Sequence, residues 1–288
     1  MKMFTLDRRR ALAGLAAAVS AIAQPRLAFA GPAWRWAVDY GQTTDPALAR
    51  QFDLLVLEPD HPRPIAPLRA PGASLLGYIS LGEVEQNRPF TDRLRKGGAL
   101  TAPNPNWPDA RMIDLRKPVW SALVVDELVP AILAKGYDGI FLDTLDNAEA
   151  LERKDPVHCT GMVAAAVELV QLLRERFPKI TIMMNRGYAL LPQAAPYVDI
   201  ILGEAMSSRW NFADKRYERT SASDWAWQAD RLRAAREANP AVRLTVLDYW
   251  DPADRATITE LYQRERGAGF HPYVATLALD RIQPEPVS

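Results

Sequence analysis

Apolar runs of four to six residues recur along the chain, and most stop abruptly at a polar or acidic residue. They fall at 34–39, 54–58, 75–80, 139–143, 180–185, 200–204, 244–248 and 273–276. Short runs without strict alternation predict strands buried on both faces. Helical patterns lie between several of them, at 119–135, 161–177, 223–238 and 252–266. The first follows Pro118 and stops at Gly136, the usual order of helix punctuation, and Pro130 inside it is set to kink or split it. Thr160 is placed to cap the second, which ends at Pro178. Strands that alternate with helices imply right-handed βαβ units and a parallel sheet. Eight of them in one domain predict closure into a (β/α)8 TIM barrel. An open doubly wound sheet is the alternative, but the first strand lacks a G-x-G-x-x-G turn.

Two connections are unusually long, 83–118 and 144–159, and both leave carboxyl ends of strands. Long loops on that face of an α/β domain are usually functional. The segment between them is the most informative in the chain. It reads Gly136-Tyr137-Asp138-Gly139-Ile140-Phe141-Leu142-Asp143-Thr144-Leu145-Asp146-Asn147. A carboxylate that ends a buried strand is costly to place there without a purpose, so Asp143 marks an expected active site.

The first thirty residues read as a leader outside the fold. Arg8-Arg9-Arg10 precedes an Ala/Leu/Gly-rich stretch at 11–23, then Ala28-Phe29-Ala30, a small-residue cleavage signal. The stretch is too short to span a bilayer. The paired arginines point to a twin-arginine export signal, with an ordinary secretory signal as the alternative. This divides the chain into a leader at 1–30 and one domain at 31–288, and places the protein in the periplasm or outside the cell. Gly31, not Cys, stands directly after the cleavage point, so no lipid or membrane anchor is expected after cleavage. The remaining length suits a single barrel of ~250 residues.

The whole chain is formally neutral, with 35 basic and 35 acidic residues. Lys2, Arg8, Arg9, Arg10 and Arg26 leave with the leader against the single acid Asp7, so the domain itself is mildly acidic. Nucleic acid is an improbable partner at that balance. One Cys, Cys159, excludes an internal disulfide. Stability must come from the apolar core.

In a closed barrel the carboxyl ends of the strands converge on one mouth. Here they supply Asp39-Tyr40, Glu58, Ser80 with Glu83, Asp143 with Asp146-Asn147, Asn185-Arg186, Glu204, Asp248-Tyr249-Trp250, and Tyr273 with Thr276. No Lys is among them, which disfavours a Schiff-base mechanism. His61, His158 and His271 show no metal-ligand spacing, and a Gly-rich phosphate loop is missing after the last two strands. Carboxylates and aromatic residues remain, the kit for glycoside hydrolysis. Asp143 and Glu204 form the best catalytic pair, since each ends an apolar strand and they lie two strands apart. No cofactor is required. Two other readings stay open: a non-catalytic carbohydrate-binding barrel, and a divalent-metal hydrolase with Asp143, Asp146 and Glu204 as oxygen ligands.

Three blocks also resemble a known family. Tyr78-Ile79-Ser80-Leu81-Gly82-Glu83, the segment from Gly136 to Asp143 with Asp146, and Gly203-Glu204 are similar to the motifs of glycoside hydrolase family 114. The likeness runs from Trp36 to Asp280, and the block around Asp143 is the specific part. It implies a (β/α)8 barrel that cleaves α-1,4-linked galactosamine polymers, with Asp143 as nucleophile and Glu204 as acid/base. Substrate contacts are expected from Asp39, Tyr40, Tyr78, Glu83, Asp146, Asn185, Asp248, Tyr249, Trp250 and Tyr273. Glu83 serves equally well as a loop brace, and Asp146 as a turn residue. Trp107, Trp210 and Trp250 are candidate platforms for sugar rings. The expected partner is an amino-sugar polysaccharide.

Overall fold

The computed structural model describes residues 34–105 and 107–286; the expected leader at 1–30 lies outside them. All eight expected strands are present: β1 (Trp36–Asp39), β2 (Leu54–Leu57), β3 (Ser74–Ser80), β4 (Gly139–Asp143), β5 (Thr181–Asn185), β6 (Ile200–Glu204), β7 (Arg243–Tyr249) and β8 (His271–Ala275). They hydrogen-bond in sequence order, every pair parallel, as one eight-stranded sheet with helices outside it. The fold is a (β/α)8 TIM barrel.

The ring is closed by side chains where β8 meets β1. The Trp36 indole donates to the His271 carbonyl at 2.9 Å, and its ring packs on Tyr273 with centroids 5.7 Å apart. Just above, the Tyr40 N–H donates to the Leu279 carbonyl at 2.7 Å. Trp36 and Tyr273 are both fully buried, so this seam is a piece of core.

The helices follow their sequence signals with one difference, at Thr160. Pro130 splits its α-helix without ending it. The run continues from Pro118–Leu123 through a wider π turn, Val124–Leu128, into Val129–Ala134. A proline has no N–H and its ring crowds the carbonyl four residues back, and the wider turn just before it absorbs both effects. Thr160 is not the cap of Met162–Arg176. Gly161 holds that position in a left-handed conformation, φ 89°, while the Thr160 hydroxyl donates to the Pro156 carbonyl. Ser221 and Asp254 cap Ala222–Ala238 and Arg255–Gly267 as side-chain acceptors.

The mouth carries two additions that periodicity did not announce. The connection after β3 folds a small antiparallel sheet from Glu83–Glu85, Ala110–Ile113 and Leu100–Pro103, with a helix at Thr91–Lys96. After β6 a hairpin rises, Ser208–Asn211 paired with Arg216–Arg219.

Gly82 fixes how the first addition leaves the barrel. A Cβ there would sit 2.0 Å from the Thr144 carbonyl oxygen, a backbone atom that cannot swing away. At Gly267 a Cβ would meet nothing within 4 Å. Gly82→Ala is therefore expected to destabilise the protein by ~1–3 kcal/mol or more, whereas Gly267→Ala should be neutral or stabilise by ~0.4–1 kcal/mol. Urea unfolding of the two variants checks the contrast.

Candidate active site

Three neighbouring strands end in the same way. β4 closes on Asp143, β5 on Asn185 and β6 on Glu204, and each is followed by a non-glycine residue in the left-handed region: Thr144 (φ 64°), Arg186 (φ 50°) and Ala205 (φ 55°). Such backbone costs ~1–3 kcal/mol per residue and collects at functional sites. It turns the chain off the strand at once while the ladder stays satisfied. Leu81 N–H donates to the Asp143 carbonyl at 3.0 Å, Arg186 N–H to Leu202 at 2.8 Å and Ala205 N–H to Leu247 at 2.7 Å.

Strand alternation decides what faces the lumen. Trp36, Val38 and Tyr40, Phe141 and Asp143, Leu202 and Glu204, and Leu247 and Tyr249 line one pocket with Asn185. The amide of Asn185 stands at its centre. Its Nδ2 donates to Asp143 Oδ1 at 2.9 Å and to Glu204 Oε2 at 2.7 Å. The Tyr78 phenol donates to Asp143 Oδ2 at 2.9 Å, and the Tyr249 phenol to Glu204 Oε1 at 2.5 Å. A flipped amide would press its oxygen against two carboxylates, which fixes the orientation. Asn185 Oδ1 is left buried without a protein partner.

The electrostatics follow from burial. Asp143 is pushed up to about 6, first by desolvation and then by the Glu204 charge, while hydrogen bonds from Asn185, the Thr144 N–H and Tyr78 pull it back. Tyr40, Tyr78 and Tyr249 are raised well above the usual phenol value by burial, with the Asp143 charge adding to it at all three and the Glu204 charge at Tyr40 and Tyr249. They therefore remain protonated donors.

Tyr40 also lines a second, larger space of about 460 Å³ beside the pocket, with Gln42, Glu58, Asp60, Glu85, Asn87 and Arg88 along its walls. Arg88 reaches all three acids, Glu85 at 3.1 Å, Asp60 at 3.4 Å and Glu58 at 4.0 Å. Burial raises the Glu58 carboxyl above the usual range. Glu58 ends β2 but was not singled out as a substrate contact; its place at a carboxyl strand end was the available signal.

Of the expected residues, Asp143, Glu204, Tyr40, Tyr78, Asn185 and Tyr249 come together in the pocket. Three do not, and their placement corrects the expectation. Asp39 lies between lumen-facing Val38 and Tyr40, so it points outward, where it accepts from the Gly41 N–H at 2.7 Å and the Thr44 hydroxyl at 2.8 Å. Asp248, between Leu247 and Tyr249, likewise points outward and accepts from the Ser207 and Ser208 N–H groups, both at 2.8 Å. Both aspartates are fully buried loop anchors. Tyr273 fills the β8–β1 seam between Trp36 and Phe52, its phenol oxygen accepting from the Gln283 N–H at 2.8 Å.

The others stand on the rim. Glu83 accepts from Asn104 at 2.5 Å and Asn147 at 3.2 Å, the brace reading. Asp146 pairs with Arg186 at 2.9 Å, which leaves it engaged away from the two carboxylates. Among the described residues no group of three or more His, Cys, Asp or Glu is placed to hold a metal ion. Trp250 donates to Asp254 at 3.0 Å and packs on Tyr217 with ring centroids 6.3 Å apart.

The barrel thus carries a buried carboxylate pair, flanked by phenols, at its carboxyl face, an arrangement that suits glycoside hydrolysis. The sequence comparison agrees: the model of glycoside-hydrolase family GH114 matches residues 15–286, and the chain belongs to that family. A search of curated proteins gave no match. Among solved structures, the glycoside hydrolase domain of PelA from Pseudomonas aeruginosa is 27% identical with a TM-score of 0.76, covering 88% of this chain and 99% of that one. Ega3 from Aspergillus fumigatus, solved in complex with galactosamine, is 16% identical with a TM-score of 0.63, covering 86% and 93%. The Ega3 likeness is one of fold.

Folding raises the Asp143 carboxyl above its unfolded value. Its contribution to stability is therefore full below pH ~4, near the unfolded carboxyl value, and is lost as pH rises through about 6. Asp143→Asn is expected to melt several degrees above the native protein at pH 8, with the difference vanishing at pH 4. Calorimetry of both proteins across that range measures it.

Proposed function

We propose that the protein is an exported hydrolase of α-linked galactosamine-type polysaccharide that acts with retention of configuration. The carrying observation is the single Asn185 nitrogen, 2.9 Å from Asp143 Oδ1 and 2.7 Å from Glu204 Oε2. The two oxygens that share this donor stand no more than about 5.6 Å apart, which favours the ~5–5.5 Å carboxyl spacing of retaining sites over the ~6.5–9.5 Å of inverting ones.

In this reading Asp143 attacks the anomeric carbon. Tyr78 and Asn185 hold its carboxylate still, as a nucleophile requires. Glu204 protonates the leaving oxygen, then takes a proton from the incoming water. The Tyr249 phenol fixes its orientation. Asn185 Oδ1, buried and unpartnered, is a ready acceptor for a sugar hydroxyl or ammonium. The three acids of the wall, Glu58, Asp60 and Glu85, outnumber Arg88 and Lys135, which pairs with Asp60 at 2.6 Å, and favour a cationic amino sugar. The glycoside hydrolase domain of PelA supports the hydrolase reading, and the galactosamine bound to Ega3 supports the amino-sugar class. Export rests on the leader pattern at 1–30; no helix among the described residues is long and apolar enough to cross a membrane.

Incubation with α-1,4-linked galactosamine polymer should release new reducing ends, with the α-anomer appearing first by NMR. A first-formed β-anomer would sink the retaining assignment, and no new ends across galactosamine polymers would sink the substrate. Glu204→Gln is expected to lower kcat by ~10²–10⁴. The free enzyme's kcat/KM should rise with pH through about 6 as Asp143 ionises. An acid limb that stays unmoved in Glu58→Gln would assign it to the catalytic pair.

A further inference from the structure

Two aromatic side chains at the mouth are held out into solvent, Trp107 at 57% and Phe212 at 58% exposure. They belong to different loops, Trp107 to the sheet that follows β3 and Phe212 to the hairpin that follows β6. Both loops rise from the carboxyl face, from strands three positions apart in a ring of eight. The rings nevertheless meet edge to face, with centroids 6.4 Å apart and planes at 88°.

Each ring is mounted on a fixed support. Asn211 Oδ1 accepts from the N–H groups of Ala213 and Asp214 at 2.9 and 3.0 Å, and its Nδ2 donates to Glu218 at 3.0 Å, which locks the turn that presents Phe212. The Trp107 carbonyl accepts from the Ala110 N–H at 2.8 Å, and Asn104 in the same loop donates to Glu83. Large apolar side chains brought together in water from two separate loops mark a candidate binding surface.

The patch is continuous with the site. Two residues before Phe212, Trp210 packs on Tyr217 with centroids 4.8 Å apart. The Tyr217 phenol accepts from the Leu277 N–H at 3.2 Å, and Leu279, two residues further on, lines the catalytic pocket. The hairpin that carries Phe212 is thus tied, through Tyr217 and the segment 277–279, to the wall of the pocket, while the acidic groove opens from the pocket at Tyr40.

We infer that Trp107 and Phe212 form an outer platform for the polysaccharide chain, which seats sugar units remote from the scissile bond. The apolar faces of the sugars stack on the rings, and an amino sugar adds a cation–π attraction between its ammonium and the indole face. This deepens the proposed function and rests on it for the identity of the polymer.

Binding separates the two ideas. Asp143→Asn, which cannot turn over, is titrated with α-1,4-linked galactosamine polymer and with its trimer, alone and combined with Trp107→Ala and Phe212→Ala. The platform predicts polymer affinity lower by about ten-fold in the triple variant, trimer affinity within two-fold, and recovery in Trp107→Phe with Phe212→Tyr. Unchanged polymer affinity, an equal loss for both ligands, or no polymer binding by Asp143→Asn overturns it. Polymer bound through the platform by a protein that releases no reducing ends would instead count against the hydrolase reading alone.

Discussion

One amide holds the site together. Asp143 and Glu204 are like charges brought out of water, and left alone they would repel each other and the protein around them. Asn185 answers that repulsion by presenting both hydrogens of one nitrogen, one to each carboxylate. Because a primary amide is planar and rigid, it also sets how far apart the carboxylates stand. A charged donor would have neutralised the pair more strongly. A neutral donor steadies the geometry without adding a charge to it.

The strands serve that amide. β4, β5 and β6 are neighbours in the sheet, so their last residues stand side by side. Each must turn its side chain into the lumen and then leave without burying unpaired backbone. The left-handed residues Thr144, Arg186 and Ala205 achieve this, and their strain is offset by the retained ladder bonds and by Asp146 pairing with Arg186. Glu83, Asp39 and Asp248 act one layer further out, tying the loops that emerge from those turns. Carboxylates thus occupy two tiers, an inner pair that faces the pocket and an outer set that anchors loops.

Much of this was legible in the sequence, for identifiable reasons. A strand covered on both faces is apolar throughout, so all eight stood out, and Asp143 and Glu204 stood out because a charge ended each run. Asp39 and Asp248 were misread because they also end runs. Their neighbours Tyr40 and Tyr249 hold the lumen positions, and counting every second residue from Val38 and Leu247 separates the two cases. The rim sheet and hairpin escaped notice because short antiparallel strands with one wet face, such as Arg216–Arg219, look polar and loop-like. The pairing of Asp146 with Arg186, and of Trp107 with Phe212, joins positions far apart in sequence. No local pattern encodes such partners.

The seam between β8 and β1 ties catalysis to the order in which the chain is made. Trp36 floors the pocket, yet it is held by His271 and Tyr273, which lie near the other end of the chain. A barrel without its final strand would have the two carboxylates, the bridging amide and both phenols, but the tryptophan beneath them would lack its fastening. Synthesis proceeds from the amino end at ~5–20 residues per second, so the pocket acquires its floor only after the last segment has emerged.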